Sequence, residues 1–142
     1  YSGRTGESID TIYWIEGEYI PEVMKEINHF MRDWRTDDVV GMDMRTLDIM
    51  AASHRLMDVG EPYMLLSGYR SPKTNAMLRS KSGGVARNSL HMKGQAAALR
   101  LKSRSVGQMA KAAAACSAGG VGKYSRSNFV HMDCGPVRSW GG

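Results

Sequence analysis

The hydrophobic period changes along the chain, and that change limits the folds open to it. From Pro21 the apolar residues Val23, Met24, Ile27, Phe30, Met31 and Trp34 recur at helical spacing, and Pro21 suits a first helical turn. A second stripe, Leu47, Met50, Ala51, His54 and Met57, predicts a helix to about Asp58. Beyond it the period shortens. "PYMLLSGYRSP" (62–72) reads as a buried strand running into a loop, "QAAALRL" (95–101) as a strand, and "VGKY" and "FVHMDCG" as the last two strands. Between them Pro72 begins a short helix to about Arg79, "SKSGGVARNS" is a flexible loop, and an Ala-rich helix is ended by Gly119 and Gly120. Before all of these, "TIYWIEGEYI" (11–20) predicts two short strands around Glu16 and Gly17. Helices dominate the first half and strands carry the candidate site, so the expected class is α+β. The 142 residues read as a single domain, with the polar, Gly/Ser-rich residues 1–10 as a flexible lead-in.

Composition narrows the function. The net charge is +5, which favours anionic partners: nucleic acid, anionic lipid or an anionic cell-wall polymer. The basic residues are scattered rather than blocked, and no aromatic-basic motif supports nucleic-acid recognition. No apolar run approaches the length of a membrane span, and no leader segment is visible, which a mature chain would have lost and which therefore does not point to the cytoplasm. Eleven methionines invite a copper reading, but their helical spacing makes them ordinary core. His29 and His54 lie on or beside helical stripes and read as surface or packing residues. Cys116 and Cys134 stand either as one disulfide, about 3 kcal/mol in the chain-entropy model, or as free thiols. Neither sits in a CxxC, which argues against a thiolate zinc site.

Chemistry concentrates late in the chain. His91 stands at the mouth of a strand, two residues after Ser89. His131 and Asp133 alternate on another strand and so share one of its faces. Arg70 occupies a strand-end loop, where charged side chains more often bind than pack. Two histidines and a carboxylate suit a three-ligand zinc site with an open fourth position. Spacing alone still favours the ordinary reading, in which the histidines make structural hydrogen bonds and Asp133 serves a turn.

The motifs change that balance. "SGYRSPKTNAMLR", "SGGVARNSLHMKGQAAALRL", "GGVGKY" and "FVHMDCGPVRSW" closely resemble the YcbK/MepK-type murein endopeptidases, within the LAS group of zinc metalloproteases (lysostaphin, D-Ala-D-Ala metallopeptidase, hedgehog). The likeness runs from about Tyr13 to Trp140, as separated motifs in matching order. The resemblance implies a LAS-type fold, a small antiparallel sheet carrying the metal site and flanked by helices. It implies a periplasmic hydrolase of cell-wall biogenesis that cuts peptidoglycan peptide cross-links, with the meso-diaminopimelate 3-3 link as the best candidate. Peptide stems would be its partners, together with an adaptor or regulatory protein of unknown identity.

The family's ligand motif is S-x-H-x-x-G-x-A-x-D. Ser89, His91, Gly94 and Ala96 match it, and Ala98 stands where the family has its aspartate ligand. The resemblance makes His91 and His131 zinc ligands, Ala98 the place of the missing one, Arg70 a cation near the scissile carbonyl, and Ser89 a residue that steadies the site. Asp133 matches the acidic residue of the family's H-x-D strand, with its role as base, ligand support or structural partner left open. Asn128 stands where other LAS peptidases carry a glutamate base. The chain is therefore expected to bind Zn2+ weakly or not at all and to be nearly inactive. It is either an inactivated ligand variant or a non-catalytic peptidoglycan-binding pseudo-enzyme.

Overall fold

A computed structural model describes residues 1–142. In chain order, a small hairpin β1 (Trp14–Ile15) and β2 (Glu18–Tyr19) precedes α1 (Pro21–Phe30), α2 (Met44–Met57) and β3 (Met64–Ser67). Then come α3 (Pro72–Lys81), a 3-10 turn (Leu90–Lys93), β4 (Ala96–Arg100), α4 (Val106–Ala115), β5 (Gly120–Tyr124), β6 (Phe129–Asp133) and β7 (Arg138–Gly141). The class is α+β.

β3 to β7 form one five-stranded sheet in the order β3-β4-β6-β5-β7. Its pairs are antiparallel except for β5 with β7, which is parallel, so the sheet is mixed rather than purely antiparallel. Strand alternation separates the two faces. Ala97, Leu99, Val121, Val130 and Met132 point into the core, where α2 and α4 pack. Ala98, Arg100, Tyr124, His131 and Asp133 point the other way, into an open cleft. Met31, Met42, Met44, Met57, Met109 and Met132 lie in the core, as their spacing requires.

Local chemistry sets most boundaries. Ser71 caps α3 by accepting from Thr74 N, with Pro72 at its first position. Ser105 and Gln108 form a reciprocal capping box at the start of α4. Asp43 caps α2 and accepts from Arg45 N.

Five expectations need correction. β7 follows β5 and β6, which the sequence reads as the last two strands. α1 stops at Phe30 instead of running to Trp34, because the buried carboxylate of Asp33 is drawn away to accept from Ser71 N and Arg35 N. The buried stripe of α2 is Thr46, Ile49, Ser53 and Met57, not the one centred on Leu47 and Met50. Its polar members are satisfied inside: Thr46 donates to Cys134 Sγ, and Ser53 Oγ lies 2.6 Å from Tyr63 Oη. Gly119 and Gly120 do not stop α4; it ends at Ala115, and Gly120 begins β5. Residues 1–10 are held rather than loose: Ser2 is buried and bridges Leu65 in parallel, while Leu65 N donates to Tyr1 O and Gly3 N to Leu65 O.

Candidate active site

The cleft on the sheet's open face has a volume of about 510 Å³, and Arg70, Ser89, His91, Ala98, His131 and Asp133 all line it. The sequence scatters these residues over more than sixty positions, and β4 and β6 bring most of them together.

His91 rides on the 3-10 turn. Ser89 caps that turn, its Oγ accepting from His91 N at 3.2 Å, and Gly94 closes it at φ 67°. A Cβ on Gly94 would also sit 3.0 Å from Val40 and 3.1 Å from Gly41 O, so conformation and space both ask for glycine. The turn is bonded to the loop after β3: Arg70 N donates to His91 O, and His91 Nδ1 donates to Gly68 O at 2.7 Å. A carbonyl can only accept, so Nδ1 carries the proton and Nε2 keeps its lone pair. Burial, then the Arg70 charge, holds the His91 pKa well below the usual histidine value. The ring stays neutral.

His131 is fixed in the opposite sense. Its Nε2 donates to Asp133 Oδ2 at 2.6 Å, which leaves Nδ1 as the free lone pair. The two imidazoles face each other edge to face, centroids 5.2 Å apart.

Asp133 is fully buried and accepts from every side. Besides His131 it takes Gly120 N and Gly135 N, each at 2.9 Å, and both terminal nitrogens of Arg138, at 3.0 and 2.9 Å. Burial pushes its pKa up, but the His131, Arg138 and Gly120 hydrogen bonds outweigh that and hold it well below the usual carboxylate range. A carboxylate so committed is a poor proton acceptor and a good brace for an imidazole.

Sequence reasoning missed the residues that complete this arrangement. Arg138 and Trp140 sit on β7, separated from β6 by β5. They reach across because β5 presents glycines there. A Cβ on Gly122 would fall 2.6 Å from the Trp140 ring, and one on Gly120 would collide with the Arg138 guanidinium and Asp133. Trp140 thereby lies 5.1 Å from the His131 ring and donates through Nε1 to Tyr124 Oη at 2.8 Å. The Gly-x-Gly pair opposite an edge-strand Arg-x-Trp was the available signal.

Ala98 lies directly opposite His131 across β4 and β6, and opposite Ser67 on its other side. Two neighbouring imidazoles with preset tautomers, each keeping one free nitrogen, suit zinc, but no third His, Cys, Asp or Glu joins them. The three-protein-ligand set of a catalytic zinc site does not fit this chain as it stands. Asn128 occupies a turn at φ 58°, outside the cleft lining, and Asp133 is the cleft's only carboxylate. Arg70 lines the cleft and donates through Nη1 to Asn75 Oδ1 at 3.2 Å. Its Nε is buried without a partner. The cysteines are not bridged: Cys134 accepts from Thr46 and Cys116 donates to Ala112 O, so the disulfide alternative falls.

The chain is an α+β protein whose sheet carries a histidine-lined cleft. Comparison with known proteins narrows the class. A family model described as "Peptidoglycan L,D-endopeptidase MepK" matches residues 1–140. The protein of that name from Escherichia coli strain K12 is 43% identical over 137 residues, covering 96% of this chain and 75% of the relative. One from Haemophilus influenzae, named "Probable peptidoglycan L,D-endopeptidase MepK", is 36% identical over 140 residues, covering 98% and 75%. The chain belongs to this family.

Proposed function

We propose that the chain is a LAS-type murein endopeptidase framework whose cutting centre lacks its third zinc ligand, so that it binds peptidoglycan stems in the periplasm without cleaving them. The reading rests on one observation above the others: two tautomer-fixed histidines meet in the cleft, and the strand position opposite His131 carries a methyl group. The names of the relatives supply the substrate class, the peptidoglycan peptide, and the 3-3 cross-link is the bond we assign.

Each residue then has a role. His91 and His131 are the two remaining ligands, and position 98 is the third. Asp133 orients His131 instead of acting as base, because its oxygens are already saturated by five donors. Ser89 fixes the turn that carries His91. Arg70 is an anion clamp, held by Asn75 with donor capacity to spare. With a carboxylate at 98, zinc would supply Lewis acidity and a bound water of lowered pKa.

Digestion of purified peptidoglycan, with mass analysis of the products, tests the proposal. The chain should release nothing, and its Ala98→Asp variant should release monomers from 3-3 linked dimers. Products from the unaltered chain would contradict the missing-ligand account. Products from neither protein, with the variant loaded with zinc, would contradict the assigned substrate.

A further inference from the structure

Three arginines in the cleft have no anion to meet. Arg4, Arg35 and Arg70 all line it, and none of them takes part in a salt bridge. Their side chains make two hydrogen bonds to protein, both to neutral oxygens: Arg4 Nε to Leu66 O at 3.4 Å and Arg70 Nη1 to Asn75 Oδ1 at 3.2 Å. The cleft's other arginines are committed, Arg138 to Asp133 and Arg100 to the Ser127 and Asn128 carbonyls.

The nearest acid relieves the group only through space and only in part. Asp33 is buried, and its oxygens accept from the backbone of Arg35 and Ser71 rather than from a guanidinium. Burial lowers the Arg70 pKa and the neighbouring Arg35 charge lowers it further, with Asp33 opposing; burial also lowers that of Arg35, Asp33 opposing and Arg4 adding to it. Trp34 meanwhile fixes the outer pair, its ring centroid 4.1 Å from the Arg35 guanidinium carbon and 5.3 Å from that of Arg4. Like charges gathered in a partly desolvated cleft repel, and the buried Arg70 Nε has a proton without an acceptor. A planar anion answers both costs, because guanidinium forks match carboxylates in bidentate fashion.

We propose that Arg4 and Arg35, with Arg70 at the inner end, form an anchoring subsite for a carboxylate of the bound peptide that runs outward from the histidine pair. That the peptide is a peptidoglycan stem rests on the function proposed above. The carboxylate is a permanent group of the ligand, so the subsite works in the chain with Ala98 as well as in a cutting version.

Calorimetric titration of the chain tests this with two probes: a synthetic stem tetrapeptide with free carboxylates, and the same peptide with every carboxylate amidated. The free form should bind about 10-fold or more tightly than the amide. Arg4 and Arg35 are exposed, so Arg4→Gln and Arg35→Gln should leave the fold intact by circular dichroism. The double variant should abolish the preference, and Arg35→Lys should restore only part of it. An undiminished preference in the double variant would overturn the subsite while leaving the peptidoglycan reading intact. If neither stem probe binds but an unrelated acidic tetrapeptide of equal charge binds through Arg35, the subsite stands and the peptidoglycan reading falls. Binding of no anionic peptide at all would overturn the subsite.

Discussion

His131 Nε2 and Asp133 Oδ2 lie 2.6 Å apart on the same face of β6, and this contact decides which nitrogen His131 offers to the cleft. Arg138 completes the pair by gripping both oxygens of Asp133. Arg138→Ala should cost about 1–2 kcal/mol in urea denaturation, because the Arg138 side chain is 42% exposed and water screens part of the contact. Asp133→Ala, which strips the partner from a buried network, should cost about 3 kcal/mol or more. Equal, small losses for the two would mean that the carboxylate is not the hub.

The glycines of β5 are predicted to matter for packing and not for hinge motion. Gly122→Ala places a methyl group against the Trp140 ring, which must then leave His131. Overpacking of this kind costs about 1–3 kcal/mol. Tryptophan fluorescence should shift in the folded variant, and an unchanged spectrum with unchanged stability would show that Trp140 has room to move.

Asp43 should give the protein an acid-sensitive component. The Arg45 guanidinium beside it lowers its pKa most; partial burial opposes this, and Arg45 N and the Gln95 side chain add to the lowering. A depressed folded pKa gives stability that is complete above the unfolded value, about 3.9, and lost as pH falls toward the folded one. Asn at this position keeps the helix cap without the charge. The stability advantage over Asp43→Asn should therefore be constant near neutrality and shrink below about pH 4. An advantage as large at pH 2.5 as at neutrality would contradict the assignment.

Both cysteines should titrate as free thiols in denaturant without reductant. In the folded protein they should react slowly, since burial pushes both pKa values up. Absence of reactive thiol in the denatured chain would restore the bridge.

Much of the architecture was legible because side-chain pattern carries it. Alternation along "QAAALRL" and "FVHMD" separates core from cleft, and it sets Ala98, His131 and Asp133 on one face. Pro72 likewise opens α3 where the sequence reading set it. What escaped was written in other terms. The amino-terminal segment is held by backbone hydrogen bonds to β3, which leave no mark on composition. α1 ends early because a distant loop claims Asp33, a tertiary demand that outweighs the local stripe. The inner face of α2 hides behind Thr46 and Ser53, whose hydroxyls read as surface until their buried partners are known. Arg138 and Trp140 lie on an edge strand without hydrophobic alternation, and only the sheet order shows that they reach the histidines.

The central claim is that position 98 is the absent member of a three-ligand site, and zinc affinity tests it most directly. Competition with a chromogenic chelator should be run on the chain, on Ala98→Asp, and on Ala98→Asp with His91→Ala. The Ala98→Asp change should tighten zinc binding by more than about 100-fold, since even a supporting residue around a metal site is worth about 10–100-fold. Removing His91 should reverse the gain. Equal zinc affinity with alanine and aspartate at 98 would contradict the account and make Ala98 an ordinary strand residue.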